Sequence, residues 1–271
     1  MNLIDVKLKE IKQSERTGLM THVIVGYPTL NDTVALVKTM DKAGVDFVEL
    51  QIPFTDPLAD GPTIMKACEA SLQNGTKVAD AFVVAKKLSA EVTMPLLFMA
   101  YYNTVFRYGV EKFCKDAKTA GISGLIVPDL PLEEEGEEHF LKACGANDLY
   151  SVRVVSPAST DERLQKNAAV AKGFVYCAAR QGVTGAKSAL DPKLTSFLGR
   201  VKKYFTVPIA VGFGISKKEH IQALKGHSDV AIVGSALIEV INSSEKKDML
   251  KSVGEFIQKL TYTTALRSTV V

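Results

Sequence analysis

Short apolar runs alternate with amphipathic segments along almost the whole chain. The runs are continuous in hydrophobicity, which is typical of parallel strands buried on both faces. They predict strands at 19–26, 45–51, 94–100, 123–128, 150–155, 173–178, 207–213 and 229–234. Eight strand–helix units in 271 residues favour a closed (β/α)8 TIM barrel, with a six-stranded doubly wound sheet as the structural alternative.

Apolar residues at helical spacing follow the predicted strands. Ile4, Leu8 and Ile11 also predict an extra N-terminal helix over residues 2–13, which would cover apolar surface. Other helices are predicted at 29–44, 62–73, 78–88, 110–121, 132–145 and 160–170, and after each of the last three strands. We interpret 1–262 as a single barrel domain and 263–271 as a C-terminal tail, either flexible or folded as a short added strand.

The composition is that of an ordinary globular protein, with 46% hydrophobic and 23% charged residues. The net charge is +3 and the lysine pairs are dispersed, which indicates solvated helix faces and no nucleic-acid surface. The four cysteines lie 30 or more residues apart, as expected for free thiols in a reducing cytosol. No apolar run reaches the roughly 18 residues of a membrane span, and the charged N-terminus lacks a signal peptide pattern. We therefore expect a cytoplasmic protein without a membrane anchor.

Two carboxylates flank a proline-rich connection after the second predicted strand. Glu49 lies near the end of that strand, and Asp60 follows three residues after Pro57. Barrel enzymes build their sites from the loops after the strands, so both are candidates for acid/base chemistry. Side chains alternate along a strand, so Gln51 is expected to share the face of Glu49. Glu49 could equally be a structural residue bonded to backbone amides, and Asp60 an ordinary helix boundary.

Glycine-rich loops follow three adjacent strands late in the chain. Backbone amides in such loops and at helix N-termini attract anions, and the last loops of a barrel often bind phosphate. These loops are RQGVTGAKS (180–188), GFGIS (212–216) and VGSAL (233–237). We therefore predict a phosphate-bearing small-molecule substrate. No histidine pairs with a Ser or Cys as a nucleophilic triad, and none forms a metal cluster, although His22 is a candidate for burial in the first strand.

A family resemblance emerges from the same residues. ELQIPFTDPLADGPTI (49–64) resembles the signature of the tryptophan synthase alpha chain family, ELGxPFSDPxADGPxIQ. Further segments look like family segments in family order across residues 3–260: YYNTVFRYG, VPDLPLEE, STDERL, GFVYCAARQGVTG, VGFGIS and AIVGSA. The resemblance implies cofactor-independent retro-aldol cleavage of indole-3-glycerol phosphate to indole and glyceraldehyde 3-phosphate, within tryptophan biosynthesis.

The resemblance also implies roles for individual residues. Glu49 matches the general acid/base, Asp60 the carboxylate that holds the indole N–H, and Tyr176 a residue close to both Glu49 and the substrate. The positions matching the phosphate site are Gly185, Gly214, Gly234 and Ser235, and those matching the indole pocket are Phe213, Ile126 and Val154. The loops at 55–60 and 182–190 would close over the substrate.

Partners and cofactors follow from the resemblance as well. The family associates with a beta chain that contains pyridoxal phosphate, in an α2β2 tetramer, and passes indole to it through a tunnel. We expect no cofactor and no metal in this chain. An alternative is a catalytically weak subunit that mainly binds and activates the beta chain. A barrel aldolase of another family would place a Schiff-base lysine at a strand end, and we find none.

Three positions depart from the family signature, and a fourth is unusual for its strand. Gln51 replaces a glycine, Thr55 a serine and Met65 a glutamine. Gln51 is the most consequential, because an inward-facing amide could hydrogen-bond Glu49, tune its pKa or crowd the indole. Arg153 lies on the fifth strand, where small or apolar residues are usual, and is harmless only if it faces outward.

Overall fold

Eight parallel strands form a closed barrel in the computed structural model, which describes residues 1–179, 190–212 and 214–261. The strands are β1 (Gly18–Ile24), β2 (Phe47–Gln51), β3 (Leu96–Met99), β4 (Ile122–Ile126), β5 (Tyr150–Val155), β6 (Val175–Ala178), β7 (Ile209–Gly212) and β8 (Val230–Val233). Each strand pairs with its neighbours in chain order, and β1 closes the barrel against β8. The TIM barrel is confirmed, and the doubly wound sheet is excluded.

Helices follow the strands and surround the barrel. They are α1 (Leu3–Gln13), α2 (Leu30–Lys42), α3 (Pro62–Gln73), α4 (Val78–Ser89), α5 (Tyr102–Tyr108), α6 (Val110–Thr119), α7 (Glu135–Glu138), α8 (Phe140–Ala146), α9 (Asp161–Val170), α10 (Pro192–Tyr204), α11 (Lys218–Ala223), α12 (Ser235–Ser243) and α13 (Met249–Thr261). A short 3₁₀ turn at Leu132–Glu134 precedes α7. Helix ends follow the chain's local chemistry, as at α3, where Pro62 occupies the first turn.

Helix α1 covers the amino-terminal end of the barrel, as predicted. Its buried residues Ile4, Leu8 and Ile11 belong to the same apolar cluster as the inward-facing strand residues. Glycines make room for this helix: a Cβ on Gly18 would lie 2.5 Å from Ile11 Cδ1, and one on Gly173 would lie 3.0 Å from Ile4 Cγ2. The floor of the barrel is therefore filled with apolar side chains, and the carboxyl-terminal ends of the strands lie at the opposite end.

Side chains of β2 alternate between the two faces of the barrel wall. Phe47 packs in the inner cluster, whereas Val48 and Leu50 pack in the outer cluster beneath the helices. The parity of a strand then directs Glu49 and Gln51 inward. The sequence prediction that these two polar residues share the inner face is confirmed.

The predicted continuous helix over 132–145 is wrong. The segment breaks at His139, whose left-handed backbone (φ 53°) separates α7 from α8. The carboxylate of Glu135 accepts hydrogen bonds from the amides of Leu141 (2.7 Å) and Lys142 (3.1 Å), which are free at the start of α8. A side-chain cap of this kind satisfies the helix start and favours two short helices over one long one.

Helix α5 was not among the predicted helices. Its seven residues are too few to show a clear periodicity, and the amide of Tyr102 at its start donates to Asp129 Oδ1 at 2.8 Å. Gly109, with φ 92°, separates α5 from α6. The start of α5 is therefore set by a contact with the loop after β4. The predicted C-terminal tail, 263–271, lies outside the described residues.

Candidate active site

Glu49 and Gln51 lie at the carboxyl end of β2 and are almost inaccessible to solvent. Glu49 is 2% exposed and Gln51 is 0% exposed. Strand β1 contributes His22, which is 4% exposed and lies opposite Glu49 in the register of the two strands. Three polar side chains therefore meet inside the barrel, and each requires polar partners there because burial without partners is costly.

These side chains form a continuous series of contacts that ends at Asp60. His22 Nδ1 lies 3.1 Å from Glu49 Oε2, and His22 Nε2 lies 2.6 Å from Gln51 Oε1. Gln51 Nε2 in turn donates to Asp60 Oδ2 at 2.7 Å. The structure thus brings the two predicted catalytic carboxylates into one polar cluster.

The contact between His22 and Glu49 has the distance of an ion pair. It joins the ring nitrogen Nδ1 to Glu49 Oε2. Glu49 Oε2 is buried and has no hydrogen-bond partner among the described residues. Gln51 hydrogen-bonds His22 and Asp60, so the direct hydrogen bond to Glu49, one of the possibilities considered for it, is not observed among the described residues.

Asp60 is held by the loop between β2 and α3 and by Tyr101 after β3. The amide of Asp60 donates to the Pro57 carbonyl at 2.9 Å. The Tyr101 hydroxyl donates to Asp60 Oδ2 at 3.0 Å and accepts from the amide of Ala59 at 3.0 Å. The ring of Tyr101 also stacks on Phe54, with centroids 5.3 Å apart. Tyr101 therefore fixes the loop that carries the second carboxylate.

Tyr176 enters the barrel from β6 on the inner face. A Cβ on Gly212 of the neighbouring strand would lie 3.3 Å from the Tyr176 hydroxyl oxygen, so glycine there leaves room for the tyrosine. Within the described part of the chain the hydroxyl makes no hydrogen bond, which leaves it free to meet a bound molecule. The structure places Tyr176 on the inner surface of the barrel, which Glu49 also faces.

Burial and the charges of Glu49 and Asp60 shift the pKa values of His22, Tyr101 and Tyr176. Burial alone lowers the pKa of His22, but the charge of Glu49, followed by that of Asp60, raises this pKa above its ordinary value. Burial, and then the charge of Asp60, raises the pKa of Tyr101. Burial and then Glu49 and Asp60 raise the pKa of Tyr176. Both tyrosines are therefore hydroxyl donors at neutral pH, and His22 binds a proton readily.

The predicted phosphate site is described in part. Gly234 precedes α12, and a Cβ on it would lie 3.6 Å from His22 Cβ and 3.5 Å from Ile64 Cδ1. Ser235 is the first residue of α12, where amides are free to bind an anion. Gly214 has φ 80° and open space around it. Gly185 lies outside the described residues.

The predicted indole pocket is also described in part. Ile126 and Val154 both belong to the inner apolar cluster, and Val154 lies opposite Tyr176 in the pairing of β5 with β6. Phe213 and most of the loop predicted to close at 182–190 lie outside the described residues. Val154 thus lies beside the tyrosine on the inner face of the barrel, and Ile126 lies in the same apolar cluster.

Arg153 faces away from the site. It is 7% exposed, and its Nε donates to Asn167 Oδ1 in α9 at 2.8 Å. Burial lowers the pKa of Arg153, and Glu135 is the first of the groups that oppose this. The guanidinium is therefore part of the packing between the barrel wall and the helices, and the outward orientation considered from the sequence is confirmed.

Sequence reasoning missed the site roles of His22 and Tyr101. His22 was recognised only as a candidate for burial, although its place inside a strand beside a buried carboxylate was the available signal. Tyr101 directly follows the apolar run of β3, which is the strand-end position where barrel site residues occur. Neither role is visible in one strand's pattern because each depends on contacts with β2 or its loop.

No group of three His, Cys, Asp or Glu side chains in the described ranges could hold a metal ion. The four cysteines are buried free thiols, with Cys114 Sγ and Cys144 Sγ 3.9 Å apart. Among the helices of the described chain, none is long and apolar enough to cross a membrane. The site is thus a cluster of carboxylates, histidine, amide and tyrosines, suited to proton transfer.

The fold and the site define the class of protein first: a (β/α)8 barrel with a buried acid/base cluster at the carboxyl end of its strands, the arrangement of barrel enzymes. The family model for the tryptophan synthase alpha chain matches residues 8–265. The chain belongs to the tryptophan synthase alpha chain family.

Relatives and solved structures agree with this membership. The chain is 46% identical over 253 residues to the tryptophan synthase alpha chain of Desulfotalea psychrophila, covering 93% of this chain and 97% of the relative. It is 40% identical to that of Desulforapulum autotrophicum, covering 95% and 100%. A structure of Mycobacterium tuberculosis tryptophan synthase superposes with a TM-score of 0.87 at 32% identity, covering 97% and 98%.

Proposed function

We propose that this chain is a lyase that cleaves indole-3-glycerol phosphate to indole and glyceraldehyde 3-phosphate, as the alpha subunit of tryptophan synthase. The observation that carries the proposal is the inner-face cluster in which Glu49 and Asp60 meet through His22 and Gln51. Family membership supplies the substrate class, and the cluster supplies the acid/base groups that a retro-aldol cleavage needs.

Glu49 is the general acid and base in this proposal. Its carboxyl group gives a proton to C3 of the indole ring, the bond to the glycerol carbon breaks, and the carboxylate takes the proton from the glycerol hydroxyl as the aldehyde forms. No proton is gained or lost overall, so one residue can perform both transfers. The 2% exposure of Glu49 supports the role because bulk water is kept from the transferring group.

Asp60 binds the indole N–H and stabilises the positive charge that develops on the protonated ring. Its Oδ2 already accepts from Gln51 and Tyr101. Among the described residues, none donates to Oδ1, so this oxygen is available for the indole nitrogen. Gln51 therefore positions Asp60 and leaves the binding of the indole nitrogen to the Asp60 carboxylate. Tyr176, whose pKa is raised by burial and by Glu49, is a neutral hydroxyl donor toward the substrate.

The phosphate is held by backbone amides of Gly234 and Ser235 at the start of α12, together with Gly214 and Gly185. Ile126, Val154 and Phe213 form the walls of the indole pocket. The loops at 55–60 and 182–190 close over the substrate. The chain itself requires no cofactor in this scheme, because proton transfers and charge stabilisation suffice for the cleavage.

The partner in this proposal is a pyridoxal-phosphate-containing beta chain, in a cytoplasmic α2β2 tetramer to which indole is passed. Two large apolar side chains support a docking surface near the site. Leu58, in the loop that carries Asp60, is 85% exposed, and Phe106, in α5, is 58% exposed. Exposed apolar residues beside an active-site loop suit a partner that covers the loop and receives the product.

The test is to incubate the purified chain with indole-3-glycerol phosphate, alone and with beta chain, and to quantify indole and glyceraldehyde 3-phosphate. We expect equal amounts of both products, and faster release with the beta chain. If the chain releases no more indole than Glu49→Gln does, while beta-chain activity still rises on mixing, the chain is a catalytically weak activating subunit and the lyase proposal is lost.

A further inference from the structure

Two buried side chains that the proposed mechanism does not use connect its two carboxylates. His22 and Gln51 are 4% and 0% exposed, and every polar side-chain atom of both lies within 3.1 Å of another member of the series from Glu49 to Asp60. Gln51 occupies the position where the family signature has glycine. In the structure, the Gln51 amide that departs from the family signature is hydrogen-bonded to the imidazole of His22.

The order of donors and acceptors along the series fixes the histidine tautomer. A carboxylate only accepts hydrogen bonds, so the amide nitrogen of Gln51 must face Asp60 and its oxygen must face His22. An amide oxygen also only accepts, so His22 Nε2 carries a hydrogen. These contacts leave only the protonation state of His22 Nδ1 to be determined. This nitrogen lies 3.1 Å from Glu49 Oε2.

The pair formed by His22 Nδ1 and Glu49 Oε2 needs one proton. Without it, a lone pair on nitrogen would face an ionised oxygen that has no other hydrogen-bond partner in the described chain. Such a pair, cut off from water, is unfavourable. One proton on the pair makes the 3.1 Å contact attractive, either as imidazolium beside carboxylate or as imidazole beside carboxylic acid.

We propose that His22 is a positioning residue that holds one proton in common with Glu49, and that Gln51 enforces the required tautomer by bridging His22 to Asp60. The effect on turnover rests on the proposed function, whereas the shared proton is a property of the chain alone. In the cleavage, the shared proton passes through Glu49 to C3, and the proton of the glycerol hydroxyl replaces it on the pair, so that neither His22 nor Glu49 gains or loses a proton overall.

Other groups around His22 leave this assignment intact. Strand β2 presents Glu49 and Gln51, and the loop after it presents Asp60 through Gln51. Strand β6 presents Tyr176, which stays neutral. On the side of β8, a Cβ on Gly234 would lie 3.6 Å from His22 Cβ, and Gly234 itself carries no titratable side chain. The only charges that act on the imidazole from these elements are the two carboxylates.

Nitrogen-15 NMR of the full chain labelled in histidine tests the shared proton without any substrate. The chain has four histidines, so His22→Phe identifies the signal of His22 by its loss. We expect Nε2 to stay protonated throughout a pH titration, and Nδ1 to lose its proton above the ordinary pKa of histidine. Glu49→Gln should shift that titration to lower pH, and the exposed-site control Glu111→Gln should not.

Two results would overturn the inference. One is a His22 ring protonated on Nδ1 and bare on Nε2 at high pH. The other is a His22 titration that Glu49→Gln leaves unchanged. Gln51→Gly gives a further readout: without the bridging amide, we expect a mixture of tautomers in place of one. A ring that keeps the single Nε2-protonated form in this variant would contradict the role of Gln51.

Turnover provides the second arm and separates this inference from the proposed function. We expect His22→Phe to lower kcat at least about tenfold, within the range that positioned acid/base groups supply, with KM changed less than about twofold. The control His139→Asn, at an exposed left-handed position, should match wild type. If wild type releases no indole but the NMR results hold, the proposed function alone fails. Full kcat in a folded His22→Phe chain would refute the positioning role alone.

Discussion

Tyr101 ties both Asp60 and its neighbour Ala59 to the barrel, so Tyr101→Phe tests how the second carboxylate is held. The substitution keeps the ring and its stacking on Phe54 but removes the hydroxyl. Two hydrogen bonds of 3.0 Å are lost, one to the Asp60 carboxylate and one from the Ala59 amide.

The magnitude follows from the kinds of hydrogen bond involved. A neutral bond contributes about 1 kcal/mol net, and a bond to a charged group about 1.5 kcal/mol or more. Together they stabilise the closed loop by about 2.5 kcal/mol. Since 1.4 kcal/mol corresponds to a tenfold change, local opening of the loop should increase roughly sixtyfold.

Amide hydrogen exchange at Ala59 measures this opening directly. We expect faster exchange at Ala59 in Tyr101→Phe, by about that factor, with the amides of β3 unchanged. Tyr150→Phe is the matched control, because its hydroxyl donates to Asp5 at 2.5 Å at the opposite end of the barrel. Exchange at Ala59 that is equally slow in wild type and Tyr101→Phe would refute the role of the hydroxyl.

Three further predictions follow. Gln51→Gly should leave the thermal midpoint within a few degrees but lower indole release; a large loss of stability with unchanged kinetics would make Gln51 a packing residue. Arg153→Met should leave indole release unchanged because the guanidinium is buried away from the site, and should lower the unfolding free energy in denaturant by about 1–3 kcal/mol because the buried Asn167 Oδ1 loses its donor. Because folding raises the pKa of His22, its charge stabilises the fold fully below about pH 6.5 and loses this effect as pH rises through the folded pKa. The melting temperature of wild type minus that of His22→Phe should therefore decrease as pH rises, and a difference that grows would contradict the ion pair.

The barrel could be predicted because each strand has a recognisable apolar pattern in its own residues. Runs such as that of Phe47–Gln51 are short and buried on both faces, and the helix starting at Pro62 has its own start signal. The break at His139 was not predictable from periodicity, since it depends on the Glu135 side chain reaching the amides of a later turn. The local hydrophobic pattern thus predicts the strands and helices, whereas side-chain caps determine where some of the helices begin and end.

The site was predictable only as far as single strands and loops determine it. Alternation along β2 correctly placed Glu49 and Gln51 on one face. The partner of Gln51 could not be deduced, because the approach of His22 depends on the register that sets it opposite Glu49. Tyr101 reaches Asp60 only because β3 neighbours β2 in the closed barrel. Contacts between strands therefore explain both omissions.

Turnover of indole-3-glycerol phosphate by Glu49→Gln is the most direct test of Glu49 as the acid/base of the cleavage. The amide keeps the size of the side chain but cannot exchange a proton, so kcat should fall by about 10²- to 10⁴-fold in a chain that melts as a folded barrel. The exposed substitution Glu111→Gln should release indole at the wild-type rate. If Glu49→Gln releases indole as fast as wild type, the carboxylate of Glu49 is not the acid/base of the cleavage and the account is wrong.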